Sequence, residues 1–246
     1  MHLPDVLLLG AAGFFAGAIN TIAGGGSFLT LPALMFLGLP PAVANGTNRV
    51  GIFLSAIAAT AAFRRDAERA PPPSATQIGA CLTGALLGVG LSLWLDDEAF
   101  RVVIGVVMWA ALPVVLKPDL LRPSTSTQAP PALQALGFLG VGLYGGFIQA
   151  GAGILFMAAF VGLAGRDLVG ANAGKVALVT LYTFPALAAF ALADKVAWVP
   201  GLVLAATSML GAVGGTWWSL HMGDRGIRPF LGLAILGAGG RLLGLW

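Results

Sequence analysis

Charge is what this chain has least of. Only 9% of its 246 residues are Asp, Glu, Lys or Arg, while 58% are hydrophobic. A soluble domain carries about 25% charged residues, so this composition leaves too little polar surface to keep a globule in water. A soluble enzyme, a disordered regulator and a nucleic-acid binder are excluded, despite a net charge of +3. Cysteine is nearly missing: Cys81 is alone, so no disulfide forms within one chain, and it reads as a packing residue. The ten acids and two histidines all fall between apolar runs or at their ends. Proton relays through an intramembrane carboxylate, metal-dependent proteolysis and Ser–His hydrolysis therefore lack the residues they need. No cofactor and no metal is expected. The start, Met1-His2-Leu3-Pro4-Asp5, has no basic segment, so no removable leader is expected.

What remains is a multi-spanning, all-α membrane protein. Glycine is abundant, with 36 residues, but shows no Gly-X-Y period. Apolar runs cover residues 6–22, 28–39, 43–63, 78–95, 100–116, 133–148, 154–164, 168–193, 196–220 and 227–246. Most are long enough to cross about 30 Å of hydrocarbon. The runs at 28–39 and 154–164 are not. Each follows a glycine-rich break, Gly24-Gly25-Gly26 in one case and Gly151-Ala152-Gly153 in the other. Such breaks interrupt a helix, because glycine has the largest backbone entropy to lose. Trp94, Trp198, Trp217, Trp218 and Trp246 lie near run ends, as interfacial anchors would.

The chain repeats itself. Gly13-x3-Gly17-x2-Asn20 matches Gly142-x3-Gly146-x2-Gln149, and Arg49 matches Lys175. Gly84-x3-Gly88 matches Gly211-x3-Gly215, and Arg101-x3-Gly105 matches Arg228-x3-Gly232. The reading is two homologous four-span-like repeats with broken first helices, residues 1–122 and 132–246, joined by a linker at 123–131. A short interrupted segment at the same place in each half points to a transporter site. If each break is one crossing, the repeats are parallel. If each is a two-limbed hairpin, they are inverted. Equivalent loops carry opposite charge bias. An odd count of crossings also gathers Arg64, Arg65, Arg69, Lys117, Arg122, Arg166, Arg225 and Arg228 on one side. The positive-inside rule then favours inverted topology, with both termini outside the cytoplasm.

Two cations lie within spans, Arg49 and Lys175, at matched positions. They either snorkel to the headgroups or face a central cavity where an anion is their counter-ion. Polar residues cluster with them. Asn20, Gly25, Gly26, Ser27 and Asn48 accompany Arg49. Gln149, Gly151, Gly153 and Asn172 accompany Lys175. A helix restarting after a glycine break also presents unpaired N–H groups and a positive dipole end. Together these make a small-anion site near the midplane. The alternative is a transporter or channel for another small solute, with Arg49 and Lys175 only snorkelling.

The stretch Gly13 to Pro32, with Asn45-Gly-Thr-Asn48-Arg49, resembles the sulfite exporter TauE/SafE family. The second half resembles that family's repeat, with Gly151-Ala-Gly153 in place of the triple glycine. The resemblance covers nearly the whole chain. It implies a transporter of a small sulfur-containing anion such as sulfite, a sulfonate or sulfoacetate. The expected direction is export across a bacterial inner membrane, and a homo-oligomer is left open.

Overall fold

The computed structural model describes residues 2–22, 24–62, 71–117, 128–222 and 227–245. Most of the loop charges used above for topology, namely Arg64, Arg65, Arg69, Arg122 and Arg225, lie outside the described residues. So does most of the expected linker. Among the described residues all regular structure is helical. The first half holds α1 (Leu3–Ile22), α2 (Ser27–Phe36), α3 (Pro41–Ala62), α4 (Ala75–Trp94) and α5 (Asp97–Leu116). The second holds α6 (Pro131–Phe147), α7 (Ala152–Gly162), α8 (Leu168–Leu192), α9 (Trp198–Met222) and α10 (Ile227–Leu242). Among the described residues, α1, α4, α5 and α8 are long and apolar enough to cross a membrane on those grounds alone.

Several helices begin before the apolar run that announces them, because a polar side chain caps the first turn. Ser74 and Gln77 form a reciprocal capping box on α4. Asp96 caps α5 by accepting a backbone N–H of the first turn, and Asp167 does the same for α8, which starts with its apolar run. Each cap satisfies one of the donors that a helix start leaves without an intrahelical acceptor.

The expected broken first helix is in each half a pair of helices folded back on each other. Gly26, at the start of α2, packs against the carbonyl of Ala16 in α1, so α2 returns along α1. In the second half the chain entering α6 meets the chain leaving α7, where Ala129 N donates to Leu163 O at 2.9 Å. Both segments are therefore hairpins.

Polarity is inverted relative to a soluble protein. Leu87, Leu136, Leu210, Val213 and Leu233 are exposed, while Asn45, Asn48, Arg49, Gln149 and Lys175 are buried. An apolar exterior is what hydrocarbon selects, since polar groups facing lipid would go unsatisfied. Trp94 and Trp198 are exposed near helix ends, as anchors require. The side chains of Trp217, Trp218 and Trp246 lie outside the described residues.

Small residues set the closest helix contacts. α4 and α6 run parallel: Gln77 Nε2 donates to Gln134 Oε1, and further along Gly88 meets Leu143 and Phe147. A Cβ on Gly88 would collide with the carbonyl oxygen of Leu143. α1 and α9 pair in the same manner, with Gly17 on the Ser208 carbonyl and Gly211 on the Phe14 carbonyl. In lipid such close backbone approach substitutes for hydrophobic association. Gly88→Leu should therefore lower the unfolding temperature of the detergent-solubilised protein, by overpacking worth about 1–3 kcal/mol or more. Gly90→Leu, with nothing within 4 Å of its Cβ position, should not. Equal stability of the two variants would refute this packing role.

Two pairs of packed helices, each with one member from either half of the chain, run antiparallel. Along α3 and α8, Arg49 stacks on Phe190 and Phe53 packs on Phe184. Along α5 and α10, Gly105 neighbours Leu243, while Gly232 neighbours Leu112 and Leu116. In both pairs one residue number rises as the other falls.

Candidate functional site

The tips of the two hairpins meet at the centre. Gly24 takes a φ of +82°, a left-handed angle that costs other residues about 1–2 kcal/mol. A Cβ on Gly24 would lie 2.7 Å from the Cα of Gly153, and the reverse holds equally. Gly151 also has a positive φ, +74°, and lies against the ring of Phe28. Gly25 faces Ile154 and Leu231. Gly26 donates its N–H to Asn20 Oδ1 at 2.8 Å, which ties the tip of the first hairpin together.

Beside the tips lies a cavity of about 50 Å³, room for a few water-sized bodies or a small ion. Of the residues singled out from sequence, Asn20, Ser27, Gln149, Gly153 and Lys175 line it. Its wall also includes Gly24, Ser55 and Tyr182. Ser27 and Gly153 occupy the first turns of α2 and α7, where the helix dipole is positive, and the neighbouring N–H groups of Phe28, Leu29, Thr30 and Ile154 donate to the carbonyls of Gly25, Gly26 and Gly151. Among the described lining residues Lys175 is the one charged group.

The remaining candidates sit elsewhere. Arg49 is wholly buried and outside the cavity wall. Its Nη1 donates to Gly145 O at 3.2 Å and its Nη2 to Gly146 O at 2.5 Å. Asn45 Nδ2 donates to the next carbonyl, Phe147 O, at 2.7 Å. Asn45 and Arg49, one turn apart on α3, thus cap the C-terminus of α6. Those carbonyls have no intrahelical donors and carry the negative end of the dipole. The face of Phe190, 4.8 Å from the guanidinium carbon, completes the surroundings. Lys175 makes the corresponding contact across the halves, its Nζ lying 3.4 Å from Asn20 O in the last turn of α1. Both cations therefore have a protein partner that a list of side chains does not reveal: the carbonyl end of the other half's first helix. Asn48 accepts from Thr30 Oγ1 at 2.6 Å. Asn172 is half-buried and does not line the cavity.

Sequence reasoning missed Ser55 and Tyr182 in the cavity wall. Both stand in apolar stretches with no motif around them. The available signal was scarcity, since the chain has only two tyrosines.

An apolar-surfaced helical chain whose interrupted helices meet beside a small, mainly apolar cavity that holds a few polar groups is a polytopic membrane transporter. The profile of the sulfite exporter TauE/SafE family matches residues 9–242, and the chain belongs to that family. It is similar to the probable membrane transporter protein YfcA of Escherichia coli K12, 33% identical over 94% of this chain and 88% of that protein. It is also similar to the probable membrane transporter protein ORF9 of a Sinorhizobium species, 31% identical over 98% of this chain and 93% of that protein. A probable membrane transporter protein of Haemophilus influenzae is 32% identical over 91% and 89%. Relatives and apolar helices alike fit a multi-pass protein of the bacterial inner membrane.

Proposed function

We propose that this transporter exports a small sulfur-containing anion, such as sulfite, a sulfonate or sulfoacetate, by alternating access between its two halves. The observation that carries the anion reading is the cavity at the hairpin tips. Among the described lining residues Lys175 is the charged group and none is a carboxylate, and the starts of α2 and α7 add positive dipole ends. The sulfur chemistry rests on family membership.

Asn20, Ser27, Gln149, Gly153 and Lys175 contact the anion in this conformation, and Gly25, Gly26 and Gly151 shape the breaks. Asn48, Arg49 and Asn172 join it only when the opposite face opens. We read the halves as inverted repeats with both termini outside the cytoplasm. The antiparallel runs of α3 with α8 and of α5 with α10 support this, as do hairpins that return to the face they entered. A C-terminal reporter active in the cytoplasm would refute that topology.

The decisive test is counterflow of labelled sulfite or sulfonate into proteoliposomes. Lys175→Ala should lower the flux by about tenfold or more, as truncating one partner of a desolvated charged contact does. Full flux in that variant would favour a solute indifferent to the lysine, and the anion assignment would fall.

A further inference from the structure

Most polar side chains in the wall of the cavity are already engaged with the protein. Thr21 Oγ1 donates to Gly17 O and Ser55 Oγ to Ile52 O, each at 3.0 Å and each within its own helix. Asn20 Oδ1 accepts from Gly26 N, the Gln149 amide pairs with the Thr183 hydroxyl, and Tyr182 has no exposed surface. Lys175 differs. Its side-chain contact among the described residues is the long one to Asn20 O at 3.4 Å, although an ammonium has three donors to place. Much of the remaining lining is aliphatic. Ile52, Ala56 and Ala59 follow one another along one face of α3, and Val176 and Val179 stand one turn apart on α8. These two helices pack antiparallel, and both aliphatic stripes border the same cavity.

We infer that the cavity takes an anion of one charge with a short aliphatic tail, and that Ala56, Ala59, Val176 and Val179 form the slot that selects the tail. This rests on the small-anion reading above. Lys175 pairs with the charged headgroup. A second charge on the ligand finds no second cation among the described lining residues and comes to lie against methyl groups, where an unpaired ion is costly. A bare oxyanion is penalised differently: oxygens stripped of water face carbon. A tail in their place removes apolar surface of both ligand and wall from water. The volume of about 50 Å³, room for a few water-sized bodies, keeps that tail short. Among the anions proposed above, this favours a simple alkanesulfonate over sulfite and over sulfoacetate, which adds a carboxylate.

The test uses the purified full-length protein in calorimetric titrations. Methanesulfonate, ethanesulfonate and propanesulfonate share a headgroup and differ only in the tail. Each added methylene should tighten binding about fourfold, the factor for burying one CH2, and sulfite and sulfoacetate should bind more weakly than ethanesulfonate. Val179→Thr keeps the side-chain shape but puts a hydroxyl in the slot, and should cut the gain per methylene to about twofold or less. Ala56→Val fills the slot and should reverse the order, so that longer tails bind worse. Partition of the longer anions into the micelle would leave the gain per methylene equal in wild type and both variants, and that result would overturn the slot. A flat series in the wild type would overturn the inference, while loss of flux in Lys175→Ala would still keep the small-anion reading. Binding of none of these anions, with flux indifferent to Lys175→Ala, would overturn both readings.

Discussion

Arg49→Met should be the most destabilising single truncation at the site. The substitution keeps most of the buried volume but leaves the carbonyls of Gly145 and Gly146 without donors. It also removes the cation from the face of Phe190. Breaking a buried charged contact by deleting one partner costs about 3–5 kcal/mol. For a chain of this size that corresponds to a fall in unfolding temperature of roughly 10 °C. Arg49→Lys should recover part of the loss, because an ammonium reaches one carbonyl where the guanidinium fork reaches two. Lys175→Met should behave in the opposite sense. Its contact with Asn20 O is single and long, so stability should change little while flux collapses. Thermal unfolding in detergent and proteoliposome flux, measured on both variants, separate the two roles. Wild-type stability in Arg49→Met would overturn the capping role.

The second large effect is expected at the hairpin tips. In Gly24→Ala the new methyl would stand 2.7 Å from the Cα of Gly153. Neither backbone can yield without parting the hairpins. Transport should fall by more than about tenfold, because a displacement of about 1 Å in an organised site has that scale of effect. Left-handed strain contributes as well, and Gly38→Ala isolates it. Gly38 has a φ of +87° but nothing within 4 Å of its Cβ position. It should show the strain-related loss of stability and keep its flux. If Gly24→Ala and Gly38→Ala transport equally well, close approach of the tips is not required.

Much of this was legible from residue order. The glycine breaks announced the hairpin tips because a run of glycine has no other use in a helical span. Asn20, Ser27, Gln149 and Gly153 could be placed at the cavity for that reason, as flanks of those breaks. The four-residue spacing of Gly84 and Gly88 is the pattern of a close helix crossing in lipid. The role of Arg49 was not legible. Its partners are backbone carbonyls almost a hundred residues away, and every residue type offers the same carbonyl. A search for an acidic side chain was bound to find none and to suggest a missing counter-ion. Tyr182 and Ser55 escaped because helical phase alone does not say which flank of α3 or α8 meets the other half. The fold back of α2 on α1 was likewise left between two readings, since length separates a hairpin from a single crossing poorly when one limb is short.

Unequal capping by Arg49 and Lys175 also bears on the transport cycle. If the halves exchange conformations as proposed, Lys175 must take over as a cap while Arg49 lets go. Arg49, with Asn45, holds three carbonyls of α6, whereas Lys175 holds one of α1 by a longer contact. The two end states then differ in energy, and the empty carrier rests mostly in the one where Arg49 stays engaged. Apparent affinity scales with the fraction of carrier already competent to bind. The same anion should therefore show a lower half-saturation concentration when offered to one face of the membrane than to the other. Arg49→Lys, by levelling the two states, should bring those values together.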